Sequence, residues 1–272
     1  MSDAPPKPIR FADLGVRIAS GLVLAAIAFL NVWMGGLWAL ALVLVLLAAM
    51  LWEYYGMVTG DRRAGAPALL ALLLGGAAAV IATDLHELAS GLALLGLGGL
   101  AAGLLARPRL GWLLAGSLYL GGAMCMLVVL GQPVPGGFQA ILWLVFVVVG
   151  ADVGAYFAGR TFGGRKLWPA VSPAKTWAGV WGGLALAALV GVIFAAAAGW
   201  PPLRMALLSL LVAAASVLGD LLESAVKRHF RVKDTSGLIP GHGGVMDRLD
   251  GLIGAAWLLL VGGLFGLQVG TG

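Results

Sequence analysis

The sequence predicts an all-α, polytopic integral membrane protein, and three observations predict it. Hydrophobic residues make up 61% of the 272-residue chain against 11% charged, and mean hydropathy is +1.01, beyond the apolar content of a soluble domain. The apolar residues gather into nine stretches long enough to cross a bilayer, which takes about 20 residues per helix. Sixteen of the seventeen basic residues fall on one side of those stretches. Backbone groups in hydrocarbon must be satisfied inside helices or a closed barrel, and these stretches are too long and continuous for barrel strands. The expectation is one compact domain of about nine transmembrane helices.

The stretches lie near 14–34, 37–56, 66–83, 88–106, 110–131, 137–158, 176–199, 203–227 and 251–268. The first follows a polar, Pro-rich MSDAPPKPIRF and is too long for a signal-peptide core, so it reads as a retained helix. Lys7, Arg10 and Arg17 precede or open it; Arg62 and Arg63 follow the second stretch, and Arg107 and Arg109 the fourth. Arg160, Arg165, Lys166 and Lys175 follow the sixth, and Lys227, Arg228, Arg231, Lys233 and Arg248 the eighth. Only Arg204 lies opposite. By the positive-inside rule the basic face is cytoplasmic, with the N-terminus inside and the C-terminus on the opposite side. The net charge of +5 is thereby a topology signal, and no nucleic-acid partner is implied. A single Cys125 inside an apolar stretch excludes a disulfide framework and a Cys-based zinc site.

Residues 1–135 read as Leu/Ala/Gly helices serving as scaffold and lipid contact, with a homodimer through these Gly-rich helices as an expectation. Gly99 and Gly103 form a small-xxx-small pair that brings two helices close. Glu53, among Trp52, Tyr54 and Tyr55, takes no assignment from sequence. Residues 136–272 carry the chemistry, with two charged cytoplasmic loops at 159–177 and 227–250.

Ionisable groups within a span mark a functional site by default. Asp152, Asp220 and Glu223 sit near cytoplasmic ends of spans. In a helical ASVLGDLLESAVKR, Asp220, Glu223, Ser224 and Lys227 project from one face. The bland alternative is that Asp220 pairs with Lys227 or a loop Arg at the membrane surface. Asp247 and Asp250 open the last helix, where acids also suit the helix dipole. Together with Asp220 they suggest an oxygen-rich site for Mg²⁺, a cation held by one or two carboxylates plus substrate phosphates. Between them KDTSGLIPGHGG places Gly241, Gly243 and Gly244 around Pro240, letting backbone N–H groups approach phosphate oxygens. His242 is hemmed by these glycines; a lone His in a polar loop is more often neither ligand nor acid/base group. In SPAKTW, Ser172, Lys175 and Thr176 sit near the start of the seventh helix, as an anion site or with Ser172 as a plain N-cap before Pro173.

The run S-x-V-K-R-x-x-x-x-K-D-x-S-x-x-I-P-x-H-G-G-V-x-D-R-L-D from Ser224 to Asp250 resembles the C-terminal signature of the phosphatidate cytidylyltransferases, also called CDP-diacylglycerol synthases. The GD at 219–220, the D-x-x-A-Y-x-x-G-R at 152–160 and the SPAKTW-x-G at 172–179 resemble that family's upstream blocks. Ala174 and Ala178 depart from the SPKKTWEG often found there, so no role falls on those two side chains. The resemblance implies Mg²⁺-dependent transfer of CMP from CTP to phosphatidate at the cytoplasmic face of a bacterial inner membrane. It implies Asp220 and Asp247 at the metal, with Glu223 and Asp250 supporting them or holding a second cation. Lys227, Lys233 and Arg248 then act on the reacting phosphates. Ser172, Lys175, Thr176, Ser224, Arg228, His242, Gly243 and Gly244 line the substrates. Two rivals stand beside this reading: an ion-coupled transporter using the same acids, and a cytidylyltransferase for a different lipid phosphate.

Overall fold

A computed structural model describes residues 26, 29–30, 33–63, 65–85, 87–132, 136–239, 241, 243–267 and 269. Eight long helices follow one another as α1 (Gly36–Thr59), α2 (Pro67–Asp84), α3 (Leu88–Leu105), α4 (Leu110–Leu130), α5 (Gly137–Phe162), α6 (Trp177–Ala198), α7 (Pro202–His229) and α8 (Met246–Leu264). They are the second to ninth predicted stretches. The first, 14–34, falls largely outside the described residues, with Lys7, Arg10 and Arg17. Among the described residues seven helices, α1 to α7, are long and apolar enough to cross a membrane. The chain is an all-α polytopic membrane protein. α8 is of similar length, but Asp247, Arg248 and Asp250 interrupt its opening turns.

Because lipid tails are as apolar as leucine, helices in a bilayer associate through close packing, and small residues permit it. Here glycines mark the contacts. A Cβ on Gly75 of α2 would lie 2.7 Å from the Cα of Gly98 on α3. A Cβ on Gly219 of α7 would lie 2.6 Å from the Asp250 carbonyl oxygen and 2.8 Å from the Cα of Gly254, both on α8. Gly99 and Gly103 pack against Leu114 and Leu110 of α4, so this pair joins two helices of one chain. Met50, Leu51, Leu69, Leu72, Leu95, Leu113 and Trp143 fill the core between the helices. One buried pair crosses it: Trp143 Nε1 donates to Ser209 Oγ at 2.9 Å, tying α5 to α7.

One element departs from expectation. SPAKT does not open a helix: Ser172–Thr176 forms β2, paired antiparallel with β1 (Lys166–Trp168), Lys166 opposite Thr176 and Trp168 opposite Ser172. Ser172 is therefore not the N-cap of α6. Thr176 is, with an extended backbone and a hydroxyl accepting the Gly179 N–H at 3.1 Å. Pro173 is tolerated because a two-stranded ribbon is all edge, where the missing N–H need not join a ladder.

Candidate active site

At one end of the bundle the C-terminal turns of α7, the first turns of α8, the β1–β2 ribbon and the 230–245 loop converge. The polar stripe on α7 forms as the helical spacing requires. Ser224 Oγ donates to Asp220 Oδ1 at 3.3 Å, and Lys227 Nζ lies 3.4 Å from Glu223 Oε1. Asp220 does not pair with Lys227 or a loop Arg. Its Oδ2 is 2.6 Å from Lys175 Nζ of β2. Lys227, two turns further on, is level with the start of α8 and donates to Asp247 Oδ1 at 2.8 Å.

Asp247 is held through both oxygens, with Oδ1, among the described residues, keeping one lone pair free. While Lys227 holds Oδ1, Oδ2 accepts from the Thr235 N–H at 2.9 Å, the Thr235 hydroxyl at 3.0 Å and the Gly244 N–H at 2.9 Å. A Cβ on Gly244 would collide with Thr235 Oγ1 and lie 2.7 Å from Glu53 Oε1, so only glycine fits there. Gly243, with φ +84°, bridges back to Ile239. Asp250 lies against Glu223 and is within electrostatic range of Asp220, which in turn acts on Asp152. Five carboxylates thus share a region with two lysine ammonium groups.

The remaining predicted residues are placed differently. Lys233 and Arg248 are exposed on the loop and on the first turn of α8. Arg228 is exposed and donates to the Val232 carbonyl at 3.3 Å. Ser172 begins β2 away from the helix end, and the Thr176 hydroxyl is spent on its cap. His242 lies outside the described residues.

Two cavities flank α7. One, of about 490 Å³, is lined by Asp152, Tyr156, Arg160, Lys175, Thr176 and Gly179. The other, of about 250 Å³, is almost wholly apolar and lined by Tyr54, Trp112, Tyr119 and Leu222, with Glu223 and Asp250 as its only acids.

Among the described residues no three acids, histidines or cysteines form a ready-made ion cage. The donor set nevertheless fits a hard cation completed by substrate oxygens. Glu223 is 3% exposed, and its polar neighbours are Lys227, 3.4 Å from Oε1, and the Asp250 carboxyl group. Two buried carboxyl groups face to face are satisfied by a shared proton or by added positive charge, and a bound cation is one way to supply the latter.

Sequence reasoning passed over three residues. Glu53 of α1, wholly buried, accepts from Ser236 Oγ, Thr235 Oγ1 and the N–H groups of Val245 and Met246. Arg62, also from the N-terminal half, donates to the Thr235 carbonyl at 2.8 Å and lies over the Trp52 ring. Thr235 joins Glu53 to Asp247. The one signal available for Glu53 was an acid near the end of an apolar span; its partners lie more than 180 residues away, beyond any spacing rule.

Comparison with known proteins supplies a family. Residues 15–262 match the model of the Cytidylyltransferase family. A phosphatidate cytidylyltransferase of Brucella suis biovar 1 is 39% identical over 265 residues, covering 93% of this chain and 95% of that protein. Proteins of the same name from Bacillus subtilis (36% over 147 residues, 53% of this chain and 55% of that protein) and Haemophilus influenzae (48% over 125 residues, 44% and 43%) are similar over about half of each chain. With the match running from the first apolar stretch into the last, and the paired Asp and Lys residues inside it, the chain belongs to the cytidylyltransferase family.

Proposed function

We propose that the protein transfers the cytidylyl group of CTP to phosphatidate, giving CDP-diacylglycerol and pyrophosphate, at the cytoplasmic face of a bacterial inner membrane. The observation that carries this reading is the pair of lysine-tethered carboxylates, Lys175–Asp220 and Lys227–Asp247, set beside an apolar cavity at one end of a membrane bundle. Family membership and the name borne by the relatives support it.

In the reaction a phosphate oxygen of phosphatidate attacks the α-phosphorus of CTP, and the bond to the β-phosphate breaks to release pyrophosphate. Both reactants are anions, so positioning and charge neutralisation carry the catalysis. Asp220 and Asp247, with Glu223 and Asp250, would hold Mg²⁺, which when bound neutralises phosphate oxygens and orients the α-phosphate. A bound cation would offset the repulsion between these carboxylates and the triphosphate. Lys175 and Lys227 hold the two aspartates in place. Exposed Lys233, Arg228 and Arg248 meet the phosphates of CTP from the aqueous side. The apolar cavity beside Glu223 and Asp250 receives the glycerol end of the lipid's acyl chains.

The test uses purified protein in detergent with radiolabelled CTP, dioleoyl phosphatidate and Mg²⁺, scoring label transferred to lipid. Wild type is expected to form liponucleotide, to stop in EDTA and to recover with added Mg²⁺. Folded Asp220→Ala and Asp247→Ala variants are expected to be inactive. A folded wild type that labels no lipid phosphate at all would refute the reading.

A further inference from the structure

Among the described residues, the most deeply buried charge of the N-terminal half is not spent on that half. Glu53 is 0% exposed and accepts four hydrogen bonds, two on each oxygen. Oε1 takes the Ser236 hydroxyl at 2.6 Å and the Val245 N–H at 2.8 Å; Oε2 takes the Met246 N–H at 2.8 Å and the Thr235 hydroxyl at 3.3 Å. Two of these donors lie at 235–236 within the 230–245 loop and two at 245–246, where α8 begins. Glu53 therefore closes the loop like a clasp. The same Thr235 hydroxyl and its N–H also grip Asp247 Oδ2, at 3.0 and 2.9 Å. Thr235 thus links the Glu53 and Asp247 carboxylates.

We propose that Glu53 is a positioning residue for the cytidylyl transfer: it fixes the 235–246 loop and, through Thr235, the orientation of the Asp247 carboxylate. The inference rests on the function proposed above. It assigns the first half of the chain a part in the chemistry without placing any of its atoms on the substrate.

The geometry selects Glu53→Gln as the discriminating change. Glutamine has the same shape, but one oxygen becomes an NH₂ group, so two of the four donors face another donor whichever way the amide is turned. Hydrogen bonds to charged groups are among the costlier to lose. The expected result is a kcat reduced by about 30-fold, with KM for CTP within about threefold of wild type, because the CTP-facing cations are untouched. A second readout needs neither substrate nor metal. In EDTA, trypsin cleavage at Arg231 and Lys233 is expected to quicken about tenfold, since the loop opens locally more often. Leu51→Ala, which removes a buried core side chain of the same helix, is the control for lost stability alone and is expected to change neither kcat nor cleavage.

Folded Glu53→Gln with wild-type kcat and wild-type cleavage would overturn the proposal, as would Leu51→Ala reproducing both losses. If Glu53→Gln does not fold, Ser236→Ala carries the test, because it removes one donor and leaves the carboxylate. A kcat lowered by about threefold or more with faster cleavage supports the proposal, and no change in either overturns it. Should wild type form no liponucleotide, the proposed function fails, while the cleavage arm still reports whether Glu53 holds the loop.

Discussion

Lys227 separates two accounts of the site. Read from sequence it is a cation for substrate phosphate; in the structure it is the counter-ion of two buried acids. Its side chain is 11% exposed, and the carboxylates it touches, Asp247 and Glu223, are 4% and 3% exposed. Lys227→Met keeps the aliphatic stem and its packing while removing only the charge. Both acids are then left without their ammonium partner, and stripping one partner from a buried ion pair costs about 3–5 kcal/mol. For a chain of this size 1 kcal/mol moves the melting temperature by about 2–4 °C, so a fall on the order of 10 °C is expected. Ten tryptophans make intrinsic fluorescence a direct probe of unfolding in detergent. Adding Glu223→Gln to Lys227→Met removes one stranded charge and should recover about half of the loss. If Lys227→Met melts within about 2 °C of wild type and loses only CTP affinity, the structural account is wrong and Lys227 is a free phosphate-binding cation.

Lys175→Met should behave in the opposite way. Its pair with Asp220 is 24% and 30% exposed, a half-open ion pair of small stability value, so melting should shift by no more than about 3 °C while transfer to phosphatidate falls at least about tenfold. Gly219→Ala should lower the melting temperature by about 5 °C or more, because its Cβ would lie 2.6 Å from the Asp250 carbonyl and force α7 away from α8; an unchanged melting curve would contradict the packing described.

The helices were legible because a bilayer imposes a minimum apolar length, and the sequence shows it directly. The stretch read at 110–131 is helix Leu110–Leu130, and that at 37–56 is Gly36–Thr59. The stripe on α7 was legible because helical spacing is local. What escaped was non-local or ambiguous. Ser-Pro reads equally as a helix start or as an extended edge, and only pairing with Lys166–Trp168 decides for the strand. Asp220 and its partner Lys175 are separated by a whole helix, so no periodicity could favour that lysine over Lys227. Glu53 was visible as an acid within a span, but its four partners, at 235–246, are reached by the chain only after six further helices.

Packing and chemistry meet at one point, which explains why neither can be altered alone. The contact between α7 and α8 is made by Gly219 against the Asp250 carbonyl and Gly254, and Gly219 immediately precedes Asp220. The small residues that let two helices associate in lipid therefore also set how close Asp220 and Glu223 of one helix come to Asp250 of the other. Such proximity of like charges is unfavourable and would separate the helices if the acids were free. It is tolerated because Lys227 spans the gap to Asp247 and because Glu53 holds the first N–H groups of α8 from the opposite side. The basic residues counted as a topology signal thus have a second duty. Lys175 and Lys227, counted among those residues, pair with Asp220 and Asp247 and so neutralise part of the carboxylate cluster.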